Sequence, residues 1–227
     1  MTARTAILAG ATGLVGSLCL KQLLDDPTYS QVVAVSRRPP IETHPRLVQK
    51  IVDFDRLHQL APIAADDAFC ALGTTIKKAG SQEAFRKIDV GYSKAFAEFA
   101  LAGGAQQLAL VSSVGANPRS GNFYVRTRGE LEEAVSAMAF RSIHIFQPSF
   151  LMGLRAEQRP GEGIGLALAQ AFQFVFVDSL RKYRPILAST VAAAMIAAVK
   201  RAEPGRHIYL YDDMQALAKQ PSSANPR

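Results

Sequence analysis

A short apolar run, Thr5-Ala6-Ile7-Leu8-Ala9, meets the segment Gly10-Ala11-Thr12-Gly13-Leu14-Val15-Gly16 and passes directly into a helical pattern. No other stretch of the chain limits the fold so tightly. The run lacks polar alternation, so it reads as a strand buried on both faces, the habit of parallel sheets. From Leu14 to Asp25 apolar residues recur at helical spacing, Leu14 with Leu18 and Val15 with Cys19 and Leu23, until Asp25-Asp26-Pro27 closes the helix. Spaced glycines between a strand and a helix meet a specific demand. The first permits a tight turn, the second lets backbone approach a pyrophosphate, and the third lets helix and strand pack closely. The N–H groups and dipole of the helix N-terminus then hold the anion. Gly10, Thr12, Gly13, Leu14, Val15 and Gly16 form the candidate dinucleotide cradle.

The alternation continues. Strands are predicted at Gln31–Val35, Leu47–Val52, Ala68–Leu72, Leu108–Val111, Ile143–Phe146 and His207–Tyr211. Helices are predicted at Gln82–Ala102, ended by Gly103-Gly104, at Tyr124–Ala139, and at a segment capped by Ser189-Thr190 and running to Lys200. Leu154–Gly165 reads as a loop and Leu166–Val177 as a helix. Parallel strands need crossover connections, so the pattern predicts an α/β fold with a doubly wound, Rossmann-type parallel sheet and helices on both faces. The chain of 227 residues suits one domain over residues 1–220. Residues 149–190 would form a small substrate-covering region, and 221–227 a frayed tail.

Ligands of such sheets bind at the carboxyl ends of the strands. After strand two the chain reads Val35-Ser36-Arg37-Arg38-Pro39. An NAD site usually places an acid there for the ribose hydroxyls. A hydroxyl and two guanidiniums suit the 2′-phosphate of NADP, because Arg offers phosphate a forked set of donors. NADP(H) is favoured over NAD(H), with a solvated basic turn as the plain alternative.

Composition narrows the remaining classes. The formal charge of +7 comes from 26 Lys and Arg against 19 Asp and Glu. The cations are scattered as short pairs without a basic helix interleaved with aromatics, which disfavours nucleic acid. Cys19 and Cys70 lie in apolar stretches and read as reduced core residues. With no signal-peptide pattern at the N-terminus, a cytoplasmic protein is expected. The apolar stretches Gly163–Val177 and Ile186–Val199 fall short of the roughly 20 residues that span a bilayer. His44, His58, His144 and His207 are dispersed, so no metal site is expected, and His144 reads as a core histidine. A Ser–His hydrolase is disfavoured, since no G-x-S-x-G occurs.

The GATGLVG turn, Cys70-Ala71-Leu72-Gly73-Thr74-Thr75, the KKAGS segment, Val111-Ser112-Ser113-Val114-Gly115-Ala116, Tyr124 with Gly129-Glu130, and Arg159-Pro160-Gly161-Glu162 occur in order. Together they resemble the atypical short-chain dehydrogenase/reductases, in particular the HIV Tat-interacting oxidoreductase-like subgroup, from about Thr5 to Tyr211. The resemblance implies a sheet of about seven strands, NADPH as ligand, and a Ser–Tyr–Lys set. Carried over, the serine is Ser113, with Ser112 the less favoured choice, and the tyrosine is Tyr124. Leu72, Gly73 and Thr74 would line the cofactor's ribose, Asp53 would approach the adenine, and Pro148 would lie near the nicotinamide. One position departs: where the family has Tyr-x-x-x-Lys, this chain has Tyr124-Val125-Arg126-Thr127-Arg128. The four-residue step keeps Tyr124 and Arg128 on one helix face. Arg128 supplies charge and donors, yet it is larger and planar and does not replace lysine conservatively.

The implied activity is NADP(H)-dependent reduction of a small carbonyl or quinone. Free tyrosine ionises near pH 10, so a nearby cation must stabilise the phenolate, and Arg128 stands in that position. A rival class is a redox-sensing or scaffold protein in which NADPH is a conformational ligand and a protein partner binds elsewhere. A third reading takes Phe172, Phe174, Phe176 and Val177 beside Arg181-Lys182 and Arg184 as a surface for peripheral membrane contact, less favoured than a helix covering the substrate pocket.

Overall fold

A computed structural model describes residues 3–153 and 178–219. Its centre is a seven-stranded, wholly parallel sheet in the order β3-β2-β1-β4-β5-β6-β9. The strands are β1 (Arg4–Ala9), β2 (Tyr29–Ser36), β3 (Leu47–Ile51), β4 (Asp67–Cys70), β5 (Gln107–Val111), β6 (Ser142–Phe146) and β9 (Gly205–Tyr209). A small parallel pair joins β7 (Leu151–Met152) to β8 (Ile186–Leu187). The order 3-2-1-4-5-6 is the doubly wound arrangement, and the direction of winding reverses between β1 and β4.

Alternation along the inner strands explains why a run such as Ala6–Ala9 carries no polar residue. In β1, Ala6 and Leu8 pack into one core with α1 (Leu14–Asp25), α6 (Ala188–Arg201) and α7 (Tyr211–Ala218). Ile7 and Ala9 point into the opposite core, with Phe54 and Leu57, Phe96 and Phe99 of α4 (Ser93–Ala102), and Leu131 and Val135 of α5 (Phe123–Ser136). A strand covered on both sides has no polar face to show. Leu8, Leu20 and Leu108 have no accessible surface, and each such side chain stabilises the fold by about 1.5–3 kcal/mol.

The expected elements recur within a few residues, with three differences. The helix expected at Gln82–Ala102 is continuous but not uniform. It runs as α3 (Gln82–Arg86), a π-helical turn (Lys87–Tyr92) and then α4, with short α2 (Ile76–Ala79) before it. Ser189-Thr190 do not cap the following helix. It starts at Ala188 directly from Leu187, without a side-chain cap, because Leu187 is held in β8 by pairing with Met152. The last strand stops at Tyr209, and Tyr211 opens α7, where the Asp213 carboxylate accepts a hydrogen bond from the Leu210 N–H at 2.9 Å. The loop expected at Leu154–Gly165, the helix expected at Leu166–Val177 with Phe172, Phe174 and Phe176, and the tail 221–227 lie outside the described residues. Among the described residues no helix is long and apolar enough to cross a membrane.

Polar groups gather where the strands begin, at the edge of the sheet away from the glycine turn. Asp67, fully buried, accepts from Tyr29 Oη at 2.9 Å and Gln107 Nε2 at 3.1 Å and pairs with Arg4. A second polar group lies mid-sheet, where buried His144 of β6 meets Tyr209 Oη at 3.0 Å through Nδ1 and stacks on His207. Burial pushes its pKa down to about 4. Cys19 and Cys70 are buried free thiols.

Candidate active site

The carboxyl end of β1 begins the site. Gly10 has φ +91°, and a Cβ there would overlap the Ala71 carbonyl at the end of β4. Gly13 N–H donates to Gly10 O at 2.8 Å, and Ser17 N–H to Gly13 O at 2.9 Å, so the turn becomes helix without a break. A Cβ at Gly16 would overlap the Gly10 carbonyl. Gly13 is the N-cap of α1 and provides no side-chain acceptor, and the first turn holds no acid. The leading N–H groups therefore face outward at the crevice beside the β1/β4 reversal. Thr12 is exposed at the tip, Leu14 is half-buried and Val15 is buried.

At the end of β2, Ser36 is buried and its hydroxyl donates to Arg38 O at 2.6 Å, which folds the turn. Arg37 and Arg38 are both exposed. Asp53, after β3, is exposed and accepts from Asp55 N–H at 3.0 Å, capping the 3-10 turn Phe54–Gln59. A cluster the sequence reading missed lies next to it. Asp55 pairs with Lys87 at 2.7 Å and accepts from Tyr92 Oη at 3.3 Å, while Tyr92 stacks on Phe54 with ring centres 5.3 Å apart. The Lys87 hydrogen bond holds the Asp55 carboxyl below its usual range, and burial with the nearby Asp55 charge raises the Tyr92 hydroxyl.

Beyond β4, Leu72 packs against the core and Gly73 is exposed. Thr74 N–H donates to Asp89 Oδ1 at 3.2 Å. Asp89 sits in the π-helical turn, fully buried, and its Oδ2 pairs with Arg128 Nε at 2.8 Å. Arg128 is itself buried; Nη1 donates to Val111 O at 3.4 Å, and Nη2 lies 3.2 Å from where a Cβ of Gly73 would stand. A side chain at position 73 would crowd the guanidinium by a few tenths of an ångström. Desolvation raises the Asp89 carboxyl, opposed by the Arg128 charge and the Thr74 hydrogen bond.

The ends of β5 and β6 stay paired past the regular strands, with Ser112 N–H to Phe146 O at 2.7 Å and Val114 N–H to Pro148 O at 3.0 Å. Ser112 and Ser113 differ sharply. Ser112 is buried and its hydroxyl donates to Glu132 Oε1, while Ser113 is half-buried. Glu132 also accepts from Gln147 Nε2 at 2.9 and 3.1 Å, which ties β6 to α5, and Pro148 next to it is buried. Burial raises the Glu132 carboxyl, against the hydrogen bonds from Ser112 and Gln147 and the charges of Arg206 and Arg128. Tyr124 is half-buried, packed between Phe85 at 5.7 Å between ring centres and the Arg128 guanidinium at 5.6 Å. Tyr124, Arg128 and Glu132 follow at four-residue steps on one face of α5. A Cβ at Gly129 would overlap the backbone at Asn117 and Pro118, so the loop carrying Ser113 leans directly on that helix.

The structure thus brings the glycine turn, the segment Leu72–Thr74, the serine pair, Tyr124, Arg128 and Pro148 to the carboxyl edge of one sheet. Arg37, Arg38 and Asp53 stand on the β2/β3 side of that edge. Among the described residues no group of three or more His, Cys, Asp or Glu could hold a metal ion.

No family model matches the chain. It is 34% identical over 201 residues to Protein HTATIP2 of Rattus norvegicus, covering 86% of this chain and 81% of that protein. It is 33% identical over 172 residues to Protein FMP52, mitochondrial, of Candida albicans, covering 73% and 74%. Among solved structures, a short-chain dehydrogenase/reductase superfamily protein from Agrobacterium tumefaciens with bound NAD aligns with TM-score 0.66 at 15% identity, over 94% of this chain and 80% of that one. MoeE5 in complex with UDP-glucose and NAD aligns with TM-score 0.66 at 18% identity, over 90% and 74%. At such identities the structural matches establish the fold.

Proposed function

Because the chain belongs to the family of HTATIP2 and the fungal FMP52 proteins, on an NAD(P)-binding fold, we propose that it is an NADP(H)-dependent oxidoreductase that reduces a small carbonyl or quinone. The observation that carries the reading is the cradle at Gly10 and Gly16. Both positions exclude a Cβ, and an uncapped helix N-terminus opens beside them. The two glycines let the turn and helix close tightly on the strand ends, which leaves the free N–H groups of the helix N-terminus at the crevice, where a pyrophosphate is held. Two exposed arginines and no acid at the end of β2 favour NADP(H) over NAD(H).

When bound, NADPH supplies a hydride to the carbonyl carbon. The chain's own residues do the rest. Ser113 and Tyr124 hydrogen-bond the carbonyl oxygen, and the Tyr124 hydroxyl gives it the proton that completes the alcohol. Arg128, packed on the Tyr124 ring, supplies positive charge beside the phenolate left behind and donors toward the nicotinamide ribose.

Titration with NADPH and NADH, followed by nucleotide fluorescence, tests the binding half. Saturable binding with an NADPH preference is expected, and failure to bind either nucleotide overturns the reading. Consumption of NADPH with a panel of aldehydes and quinones tests turnover.

A second reading, a redox-sensing or scaffold protein that binds NADPH without turnover and engages a protein partner, rests on one contact. Asp89 neutralises Arg128 at 2.8 Å, which weakens the cation beside Tyr124. A large gain in turnover from Arg128→Lys favours it. Nucleic acid is not proposed as a partner. The cytoplasmic expectation stands against fungal relatives named mitochondrial; imaging a tagged chain separates the two compartments.

A further inference from the structure

A buried carboxylate in the middle of a long helix needs a reason to be there. Asp89 has no accessible surface, and the helix widens to a π-helical turn over Lys87–Tyr92 where it sits. Such local widenings are uncommon and concentrate at functional sites. The two oxygens of Asp89 reach two different elements. Oδ1 accepts the Thr74 N–H from the loop after β4, and Oδ2 pairs with Arg128 Nε on α5. Arg128 in turn reaches the Val111 carbonyl at the end of β5, with Gly73 leaving room for its guanidinium. One carboxylate therefore joins the loop after β4, the end of β5 and the helix that carries Tyr124.

We infer that Asp89 is a positioning residue. It holds Arg128 and the Thr74 backbone in one frame, and so sets the part of the site that receives the nicotinamide half of the dinucleotide. The inference rests on the proposed binding of NADP(H). An arginine is long and has many rotamers, and fixing it before ligand arrives removes an ordering cost from binding. The pair also explains how an arginine occupies the place of a lysine. Asp89 takes Nε and turns the fork toward Val111 and Gly73, where a lysine would present a single point charge.

Binding of NADPH is compared with binding of 2′,5′-ADP, which carries the adenosine half and the 2′-phosphate but no nicotinamide ribose. For Asp89→Asn, NADPH is expected to bind at least about tenfold more weakly, the loss of the buried ion pair that fixes Arg128, with 2′,5′-ADP unchanged. The double variant Asp89→Asn with Arg128→Gln is expected to lose little more than either single change, since the two act as one unit. Unchanged NADPH affinity, equal weakening of both ligands, or additive losses would each overturn the inference. A wild-type protein that binds neither ligand overturns the underlying reading and the inference with it.

If Asp89→Asn does not fold, the wild-type protein still decides. In protein labelled with 15N-arginine, the Arg128 Nε–H signal, identified by its loss in Arg128→Lys, is expected to shift with NADPH and stay in place with 2′,5′-ADP. No shift on saturation with NADPH would sink the idea.

Discussion

Glu132 accepts the Ser112 hydroxyl at 2.5 Å, so of two adjacent serines at the end of β5 one is committed to the protein interior and the other is left half-buried. The bond gives the two serines separate tests. Ser113→Ala is expected to lower turnover while leaving the unfolding midpoint in place. Ser112→Ala is expected to cost about 1–3 kcal/mol, because it strips a donor from a buried carboxylate. Urea unfolding beside NADPH consumption reads both. The reverse pattern would move the catalytic role to Ser112.

Tyr124→Phe removes only a hydroxyl and keeps the ring packed between Phe85 and Arg128. Turnover is expected to fall at least about a hundredfold, the usual contribution of a positioned acid, with NADPH affinity retained. Full activity in the phenylalanine variant would rule out the proposed proton donor.

Arg37 and Arg38 are exposed at the end of β2, so replacing them should leave the fold intact. Each change to alanine is expected to weaken NADPH by about tenfold and NADH hardly at all. Added salt should narrow the preference further, since exposed charges are screened. Equal losses for both nucleotides would mean that the arginines do not contact a 2′-phosphate.

Asp67 gives the fold a defined response to pH. Burial raises its carboxyl to about 6, against the Arg4 charge and the Tyr29 and Gln107 hydrogen bonds. The folded-state value exceeds the unfolded one, so the folded chain binds the extra proton. The stabilisation is complete below about pH 4 and is lost as pH rises through about 6, a change of up to about 3 kcal/mol. His144 runs the other way. Its value is depressed to about 4, and its contribution is present above the unfolded value and lost as pH falls through the folded one. Comparison with Asp67→Asn isolates the first effect: urea unfolding at about pH 4.5 and 7.5 should show wild type losing more stability with rising pH than the variant. Identical slopes would refute it.

Much of the sheet and the cradle was legible because both are local in sequence. A run such as Thr5–Ala9 shows its two-sided burial in its own composition, and Gly10–Gly16 carries its geometry in its spacing. Asp89, Glu132 and Lys87 were missed because their roles belong to partners on other elements. Two of them did leave a trace. Phe85, Asp89, Ser93 and Phe96 follow helical spacing and are all buried, so an acid stands in an otherwise core-facing stripe. Glu132 falls between the buried Leu131 and Val135, one turn after Arg128. Helix α7 escaped because Leu210-Tyr211 read as the continuation of a strand, while the capping by Asp213 that starts the helix becomes visible only in three dimensions.

The pairing of α1 with α6 has a bearing on how the chain is made. Val15, Cys19, Leu20 and Leu23 share a core with Val191, Met195, Met214 and Leu217. A ribosome adding about 5–20 residues per second needs on the order of ten seconds or more between those two groups. Throughout that interval the first helix synthesised lacks the surface it was built to meet. β1 waits too, with one edge open until β4 emerges. The nascent chain therefore carries an apolar helix face for most of its synthesis, and a chaperone that shields the first helix until the last two arrive would raise the yield of native protein.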